Sequence, residues 1–361
     1  MFLIAYGFLI SGWLRVLGCP AKPGLQRFLV CFPVVLGNCM IPLLFDAASV
    51  KESTSFARQA LKIVTAYVFM WMTNCKVLAF CLNRGMLAAA EKWSFWRFCG
   101  AVVCTISIKT DSFNARTGKS NLDLQSKMKK IFRWSYQACC KAGLLLIIIY
   151  LLSTKEFGFL LKETLHNWAL YTWLGCALEG MQIVALAIFD INSIDSFNYP
   201  FVASSSQDNW GNRWNLTTAS TMKPISYDLV MADTIIGKNT EDSSKSKKSR
   251  RPEWRRVLAV LSIFTLSGIL HTVYFWYLSK LWIWQWMVYF FMLGMAIVLE
   301  QAMEQFLLKT LKIDVVRAVP SLIRHVIATV CFLTMNQFFY ETVYEIGMFK
   351  LVILFQQEYL S

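Results

Sequence analysis

Runs of about 20 residues without a formal charge constrain this chain more than any other feature. The segment 257–279 reads VLAVLSIFTLSGILHTVYFWYLS and holds no Asp, Glu, Lys or Arg. As an α-helix rising about 1.5 Å per residue, such a run crosses the roughly 30 Å hydrocarbon core of a bilayer. Similar runs recur along the 361 residues, of which 56% are hydrophobic. The sequence therefore predicts an all-α, polytopic integral membrane protein that forms one membrane domain over residues 1–361.

About eight or nine transmembrane helices are predicted, because one of the apolar runs is weak. The candidate spans are 2–18, 27–45, 60–82, 86–108, 134–153, 165–191, 257–279, 281–308 and 322–343. The run 86–108 is the weak one, since Glu91, Lys92 and Arg97 interrupt it, and an interfacial position is the alternative. Lys76 falls near one end of its span, where a long side chain can snorkel to the headgroups.

Basic residues orient these spans. The polar segments 109–133, 192–256 and 309–321 are rich in Lys and Arg and fall on one side of the predicted membrane. The positive-inside rule makes that side cytosolic. The net charge of +14 is therefore attributed to cytosolic loops and an anionic partner at the membrane surface, and nucleic acid is not expected as a partner.

The longest polar segment, 192–256, divides into two parts of different character. The part 238–256 is basic and of low complexity, which predicts a solvated linker. The part 192–216 is instead dense in Trp, Asn, Asp and Arg, and we call it the motif loop. An aromatic segment beside a membrane is by default an interfacial anchor, but an anchor does not require a particular order of residues.

Two pairs of side chains in the motif loop are spaced to interact. Trp210 and Trp214 are four residues apart and would share a face on a helix. Asp208 and Arg213 can form an ion pair across the same turn.

His271 is one of three histidines and lies inside the uncharged run 257–279. Helical spacing puts Ser267, Gly268 and Tyr274 on its face. An ionisable residue at membrane depth usually faces a cavity or a partner, and Glu179, in another predicted span, is a second residue of this kind. For both residues, a hydrogen bond that only packs two helices together is an equally good interpretation.

Taken together, the two segments resemble a known family. In the motif loop the residues are Asp208, Trp210, Gly211, Arg213, Trp214 and Asn215, and in the later helix they are Phe264, Ser267, Gly268 and His271. These two motifs, in this order, resemble those of wax synthases in the membrane-bound O-acyltransferase (MBOAT) superfamily. Asn209, Asn212 and Thr272 depart from the family pattern, which leaves substrate preference open and admits a catalytically inactive member.

The resemblance implies an MBOAT-like fold, residence in the endoplasmic reticulum, and transfer of an acyl group from acyl-CoA to the hydroxyl of a lipophilic alcohol. It assigns His271 as general base and Asn215 as its polar partner, either as donor to the developing oxyanion or as the group that fixes the histidine tautomer. An imidazole with a pKa near about 6.5 suits proton removal at neutral pH. The residues that the resemblance assigns to substrate binding are Asp208, Trp210, Arg213, Trp214, Ser267 and Gly268.

Acyl-CoA is expected as a co-substrate, without a further cofactor or a metal. The 11 cysteines show no metal-ligand spacing, and no GxSxG nucleophile motif occurs, so direct transfer in a ternary complex is expected.

Two substrate hypotheses remain open. One is a long-chain fatty acyl donor with a fatty alcohol or sterol, and the other is an acetyl donor with a terpenoid-like metabolite. A hypothesis from another class is a transporter or receptor that uses His271 and Glu179. It predicts inverted repeats, which the sequence does not display.

Overall fold

The computed structural model describes residues 2–45, 55–108, 119–237, 252–310, 312, 319–320 and 323–324. The regular elements of these residues are helices, which confirms the all-α prediction. The α-helices are Phe2–Trp13, Leu25–Met40, Phe56–Thr65, Asn74–Cys81, Gly85–Ala89, Phe95–Val103, Leu124–Thr154, Phe159–Ala187, Ser206–Asn212, Leu216–Met222, Tyr227–Met231, Glu253–Ser279 and Gln285–Thr310. Leu14–Gly18 and Ala66–Thr73 are π-helical, and Ile41–Leu44, Ala90–Lys92, Pro200–Val202 and Lys223–Ile225 are 3₁₀ turns.

Several predicted spans are helices of membrane-spanning length. In the part of the chain that is described, six are long and apolar enough, namely Leu25–Leu44, Phe56–Cys81, Leu124–Thr154, Phe159–Ala187, Glu253–Ser279 and Gln285–Thr310. The apolar helix Phe2–Gly18 is shorter. The prediction of a polytopic membrane protein is thereby confirmed. Nearly all of the predicted span 322–343, and residues 238–251 of the predicted linker, lie outside the described residues.

The weak fourth candidate, 86–108, does not form one continuous helix. Short helices break at Trp93 and the chain is extended after Cys104. Two of the three interrupting charges form ion pairs, Glu91 with Arg27 at 2.7 Å and Arg97 with Asp190 at 2.9 Å. Because an unpaired charge is costly in an apolar environment, these ion pairs explain why the segment bends.

Lys76 does not snorkel to the interface as expected. Its side chain is buried, and Nζ donates to the carbonyl oxygens of Ala101 at 2.9 Å, Val102 at 3.3 Å and Cys104 at 2.5 Å. The last carbonyls of a helix lack partners within that helix, so a lysine can satisfy them. Lys76 therefore caps the end of helix Phe95–Val103.

The helix Phe56–Cys81, which we call the central helix, joins the two hydrophobic clusters of the described protein. In its apolar 18-residue stretch, 83% of the residues are buried inside the protein, whereas in that of Leu124–Thr154 only 6% are. One cluster lies among the N-terminal helices, and the other packs the central helix against Glu253–Ser279 and Gln285–Thr310. The central helix therefore supplies a wall to whatever site forms beside His271.

Leu124–Thr154 and Phe159–Ala187 pack on each other as a peripheral hairpin of helices. Lys141 of the first helix forms an ion pair and hydrogen bond with Glu179 of the second. Glu179 thus makes the interhelical contact that was one of its two predicted roles.

Candidate active site

Two hydrogen-bond acceptors, Ser205 and Glu300, fix the motif loop at the N-terminus of its helix Ser206–Asn212. Ser205 Oγ accepts a hydrogen bond from the Asp208 amide at 2.9 Å and caps the helix Ser206–Asn212. The Glu300 carboxylate accepts from the amides of Ser206 and Gln207 at 3.0 and 3.3 Å. Free N–H groups at a helix start attract a carboxylate. These contacts attach the loop to helix Gln285–Thr310.

Asp208 and Arg213 form the predicted ion pair, with 2.6 Å between Oδ2 and Nε. Burial opposes ionisation of Asp208, but hydrogen bonds from Arg213 and from the Ser204 amide lower its pKa below the usual value. Arg213 also donates to the Asn198 carbonyl at 3.3 Å. The pair therefore closes the loop on itself, with Asp208 ionised at neutral pH.

Asn215 turns the chain from the loop into the helix Leu216–Met222. Its backbone is left-handed, with φ 39° and ψ 57°, a conformation that Asn tolerates better than most residues. Its Oδ1 accepts from the Thr218 amide at 3.1 Å and caps the helix. The Thr218 hydroxyl in turn forms a hydrogen bond with the Tyr67 hydroxyl, with 3.0 Å between the two oxygens.

His271 lies on the helix Glu253–Ser279, which we call the histidine helix. Its Nδ1 lies 2.8 Å from the Ser267 carbonyl oxygen. Because a carbonyl only accepts, Nδ1 is assigned the proton and Nε2 the lone pair. The ring stacks on Phe290 at a centroid distance of 4.1 Å and meets the Trp71 ring edge-on at 4.6 Å. Ser267 thus sets the tautomer, a task that was one of two predicted for Asn215.

One cavity of about 570 Å³ brings the two motifs together. His271, Asn215, Trp210, Trp214 and Ser267 all line it. Along the histidine helix its lining continues through Phe264 and Val260 to Arg256. From residue 256 to residue 271 this face extends about 22 Å at the α-helical rise. The cavity is therefore a long chamber with a basic residue at one end and the histidine at the other.

Three predicted binding residues lie outside the cavity lining, namely Asp208, Arg213 and Gly268. Asp208 and Arg213 build the loop. A Cβ on Gly268 would lie 2.8 Å from Met287 Cα, so this glycine allows the histidine helix to approach its neighbour closely. Substrate binding by these three residues stays a prediction, and the described contacts give each a structural role.

The cavity also has walls that sequence motifs did not indicate. Tyr67 and Trp71 come from the central helix, and Tyr289 and Phe290 from helix Gln285–Thr310. They occur in apolar runs where an aromatic residue is ordinary core material, so only their three-dimensional position distinguishes them. Glu179 is not among the lining residues, which separates it from His271. Across the residues described, no three or more His, Cys, Asp or Glu side chains are grouped to hold a metal.

Comparison with known proteins identifies the same region. The family described as "Membrane bound O-acyl transferase family" matches residues 194–293, a range that contains both Asn215 and His271. An acyl-CoA–sterol O-acyltransferase of Arabidopsis thaliana is 25% identical over 293 residues, covering 78% of this chain and 73% of its own length. A long-chain-alcohol O-fatty-acyltransferase of Simmondsia chinensis is 27% identical over 259 residues, covering 71% of this chain and 65% of its own length.

These matches confirm the resemblance to wax synthase-like membrane-bound O-acyltransferases that the two motifs predicted. The prediction of an acyl-CoA-dependent O-acyltransferase is confirmed with it.

Proposed function

We propose that this protein esterifies a lipophilic alcohol, a fatty alcohol or a sterol, with a long-chain acyl group from acyl-CoA, in the endoplasmic reticulum. The observation that carries the proposal is the contact of His271 Nδ1 with the Ser267 carbonyl, beside the cavity that His271 lines. Its Nδ1 proton is donated to the Ser267 carbonyl, which leaves Nε2 as the basic nitrogen. A base that borders an aromatic-lined chamber suits proton removal from an alcohol that is un-ionised at neutral pH.

The reaction balances with these groups alone. His271 Nε2 takes the hydroxyl proton as the alcohol oxygen bonds to the thioester carbon. The carbonyl oxygen gains negative charge, and the carbon–sulfur bond then breaks. The proton passes to the departing sulfur, which releases the CoA thiol and the ester. Because Asn215 Oδ1 already accepts from Thr218, its NH₂ group is the part suited to donate to the oxyanion.

The basic end of the cavity suits the phosphates of CoA. Lys223 and Arg256 both belong to the lining, as do Gln207 and Gln301, and Lys223 also lies 3.7 Å from the Asp228 carboxylate. Lysine and arginine bind phosphate through charge-assisted hydrogen bonds. The roughly 22 Å between this end and His271 leaves room for the extended arm that joins the nucleotide of CoA to its thioester.

The alcohol has a separate route on the membrane side. Leu170, Trp173 and Leu174 share one face of helix Phe159–Ala187 and line the cavity. Trp173 is 40% exposed in the middle of a helix that is long and apolar enough to span a membrane. An apolar face of this kind on a membrane-spanning helix is suited to admit an apolar alcohol from the bilayer.

The test uses microsomes from cells that express the parent protein or His271→Ala at equal protein level. Labelled palmitoyl-CoA and acetyl-CoA are each supplied with fatty alcohols, sterols and terpenoid alcohols. We expect the parent to form palmitoyl esters of fatty alcohols or sterols, and the variant to lose at least about 100-fold in rate. Equal ester formation by both proteins would reject His271 as the base. Acetyl transfer to terpenoid alcohols alone would reject the proposed substrates.

A further inference from the structure

The central helix contains a π-helical segment, Ala66–Thr73, at the point where it borders the cavity. Tyr67 and Trp71 lie in this segment, four residues apart, and both line the cavity. π-Helical turns inside α-helices are rare and occur frequently at functional sites. The two rings also touch each other, edge-on, with centroids 5.8 Å apart.

Trp71 contacts the general base. It is 3% exposed, and its ring lies 4.6 Å from the His271 ring with an angle of 77° between their planes. In the described part of the chain its buried indole N–H has no hydrogen-bond partner. A buried donor without a partner is unfavourable, so folding stability alone does not explain a tryptophan here.

Tyr67 reaches the polar partner through Thr218. Its hydroxyl forms a hydrogen bond of 3.0 Å with Thr218 Oγ1, and the Thr218 amide donates to Asn215 Oδ1 at 3.1 Å. Thr218 therefore links the Tyr67 hydroxyl to the Asn215 amide.

We propose that Tyr67 and Trp71 are positioning residues that set His271 and Asn215 relative to each other. The contacts run from Asn215 through Thr218 to Tyr67, from Tyr67 to Trp71, and from Trp71 to His271. Both positioning side chains stand on one π-helical segment, so one short element positions two catalytic groups that are far apart in sequence. This inference rests on the proposed function, in which His271 and Asn215 carry out the acyl transfer. Transition-state stabilisation requires such preorganisation of the reacting groups.

The first test is Tyr67→Phe, which keeps the ring and removes the hydroxyl. We expect kcat to fall about tenfold, the value of one hydrogen bond, while KM for acyl-CoA and for the alcohol stays within about twofold. The matched control is Tyr6→Phe. It removes a hydroxyl that donates to Asn38 Oδ1 at 2.9 Å, outside the cavity lining, and should leave kcat unchanged.

The second test asks through which residue Tyr67 acts. In an Asn215→Ala background, Tyr67→Phe should cause no further loss of kcat. A Thr218→Val background, which lacks the hydroxyl that Tyr67 contacts, should likewise show no further loss. Full additivity with Asn215→Ala, or an unchanged kcat in the single variant, would overturn the inference.

Trp71→Phe tests the other half and serves if Tyr67→Phe accumulates poorly. It keeps a ring beside His271 and removes an N–H that makes no hydrogen bond, so protein level and KM should not change. The smaller ring holds the imidazole less closely, so we expect several-fold lower kcat. Unchanged kcat would overturn the role of Trp71. Ester formation that depends on His271 but not on Tyr67 or Trp71 would reject this inference and leave the proposed function intact, whereas no ester from the parent would reject the function itself.

Discussion

His271 and Glu179 are both ionisable side chains inside long apolar helices, but their surroundings differ. Glu179 receives its neutralising charge from Lys141 across the peripheral hairpin. His271 is held by a backbone carbonyl of its own helix and by aromatic rings from two other helices. His271 borders the cavity, and Glu179 does not.

The difference shows that an ionisable residue at membrane depth does not by itself mark a functional site. The ion pair of Glu179 with Lys141 joins two helices, which is a structural role. A base that lines a cavity is instead placed to contact a ligand. The transporter hypothesis needs His271 and Glu179 to act together, and the structure puts them in separate environments. The following predictions test this contrast.

Lys141→Met should have the largest effect, and on stability alone. It leaves the Glu179 carboxyl, 9% exposed, without its cation, and removing one partner of a buried ion pair typically costs about 3–5 kcal/mol. We expect a lower melting temperature in detergent and an unchanged kcat for the folded fraction. The double variant Lys141→Met, Glu179→Gln should recover most of the stability. A fall in kcat at unchanged melting temperature would show that the Lys141–Glu179 pair contributes to catalysis, as His271 is proposed to do.

Asn215→Asp should act on the rate instead. The aspartate keeps an oxygen to cap the helix Leu216–Met222, and a carboxylate is favourable at a helix N-terminus. It loses the NH₂ donor and adds negative charge beside the developing oxyanion. We expect kcat to fall by about 10²–10³-fold with little change in protein level, measured as ester formation. An active Asn215→Asp enzyme would show that oxyanion stabilisation comes from another group.

Arg256→Met should have the smallest effect, confined to the acyl donor. Arg256 is exposed at one end of the cavity, so its interaction with phosphate is screened by solvent. We expect KM for acyl-CoA to rise about threefold to tenfold, with less difference from the parent as salt concentration increases, and with kcat and KM for the alcohol unchanged. Arg58 offers a matched control outside the cavity lining, and Arg58→Met should leave all these constants as they are.

The spans, the polytopic class and the two motifs were predictable because each is encoded within a short stretch of sequence. Hydrophobic runs define the helices, and Asp208 pairs with Arg213 only five residues away. Contacts between distant segments were not predictable. Tyr67 meets Thr218 across 151 positions, and nothing in the run around Tyr67 distinguishes it from a core aromatic.

One wrong expectation and one open alternative have the same origin. Lys76 was expected at the interface because its acceptors, the carbonyls of Ala101, Val102 and Cys104, depend on where another helix ends. Asn215 was offered two roles, and only the position of the Ser267 carbonyl indicates which group holds the histidine tautomer.

The contact of Lys76 also has a consequence for biogenesis. A membrane protein is inserted from its N-terminus, and the carbonyls that accept from Lys76 are 25 to 28 residues further along the chain. When the central helix first meets the lipid, its lysine has no acceptors, and a charged residue in that position opposes insertion. We therefore expect residues 56–108 to insert as one unit, in which the carbonyls at the end of helix Phe95–Val103 supply the acceptors for Lys76.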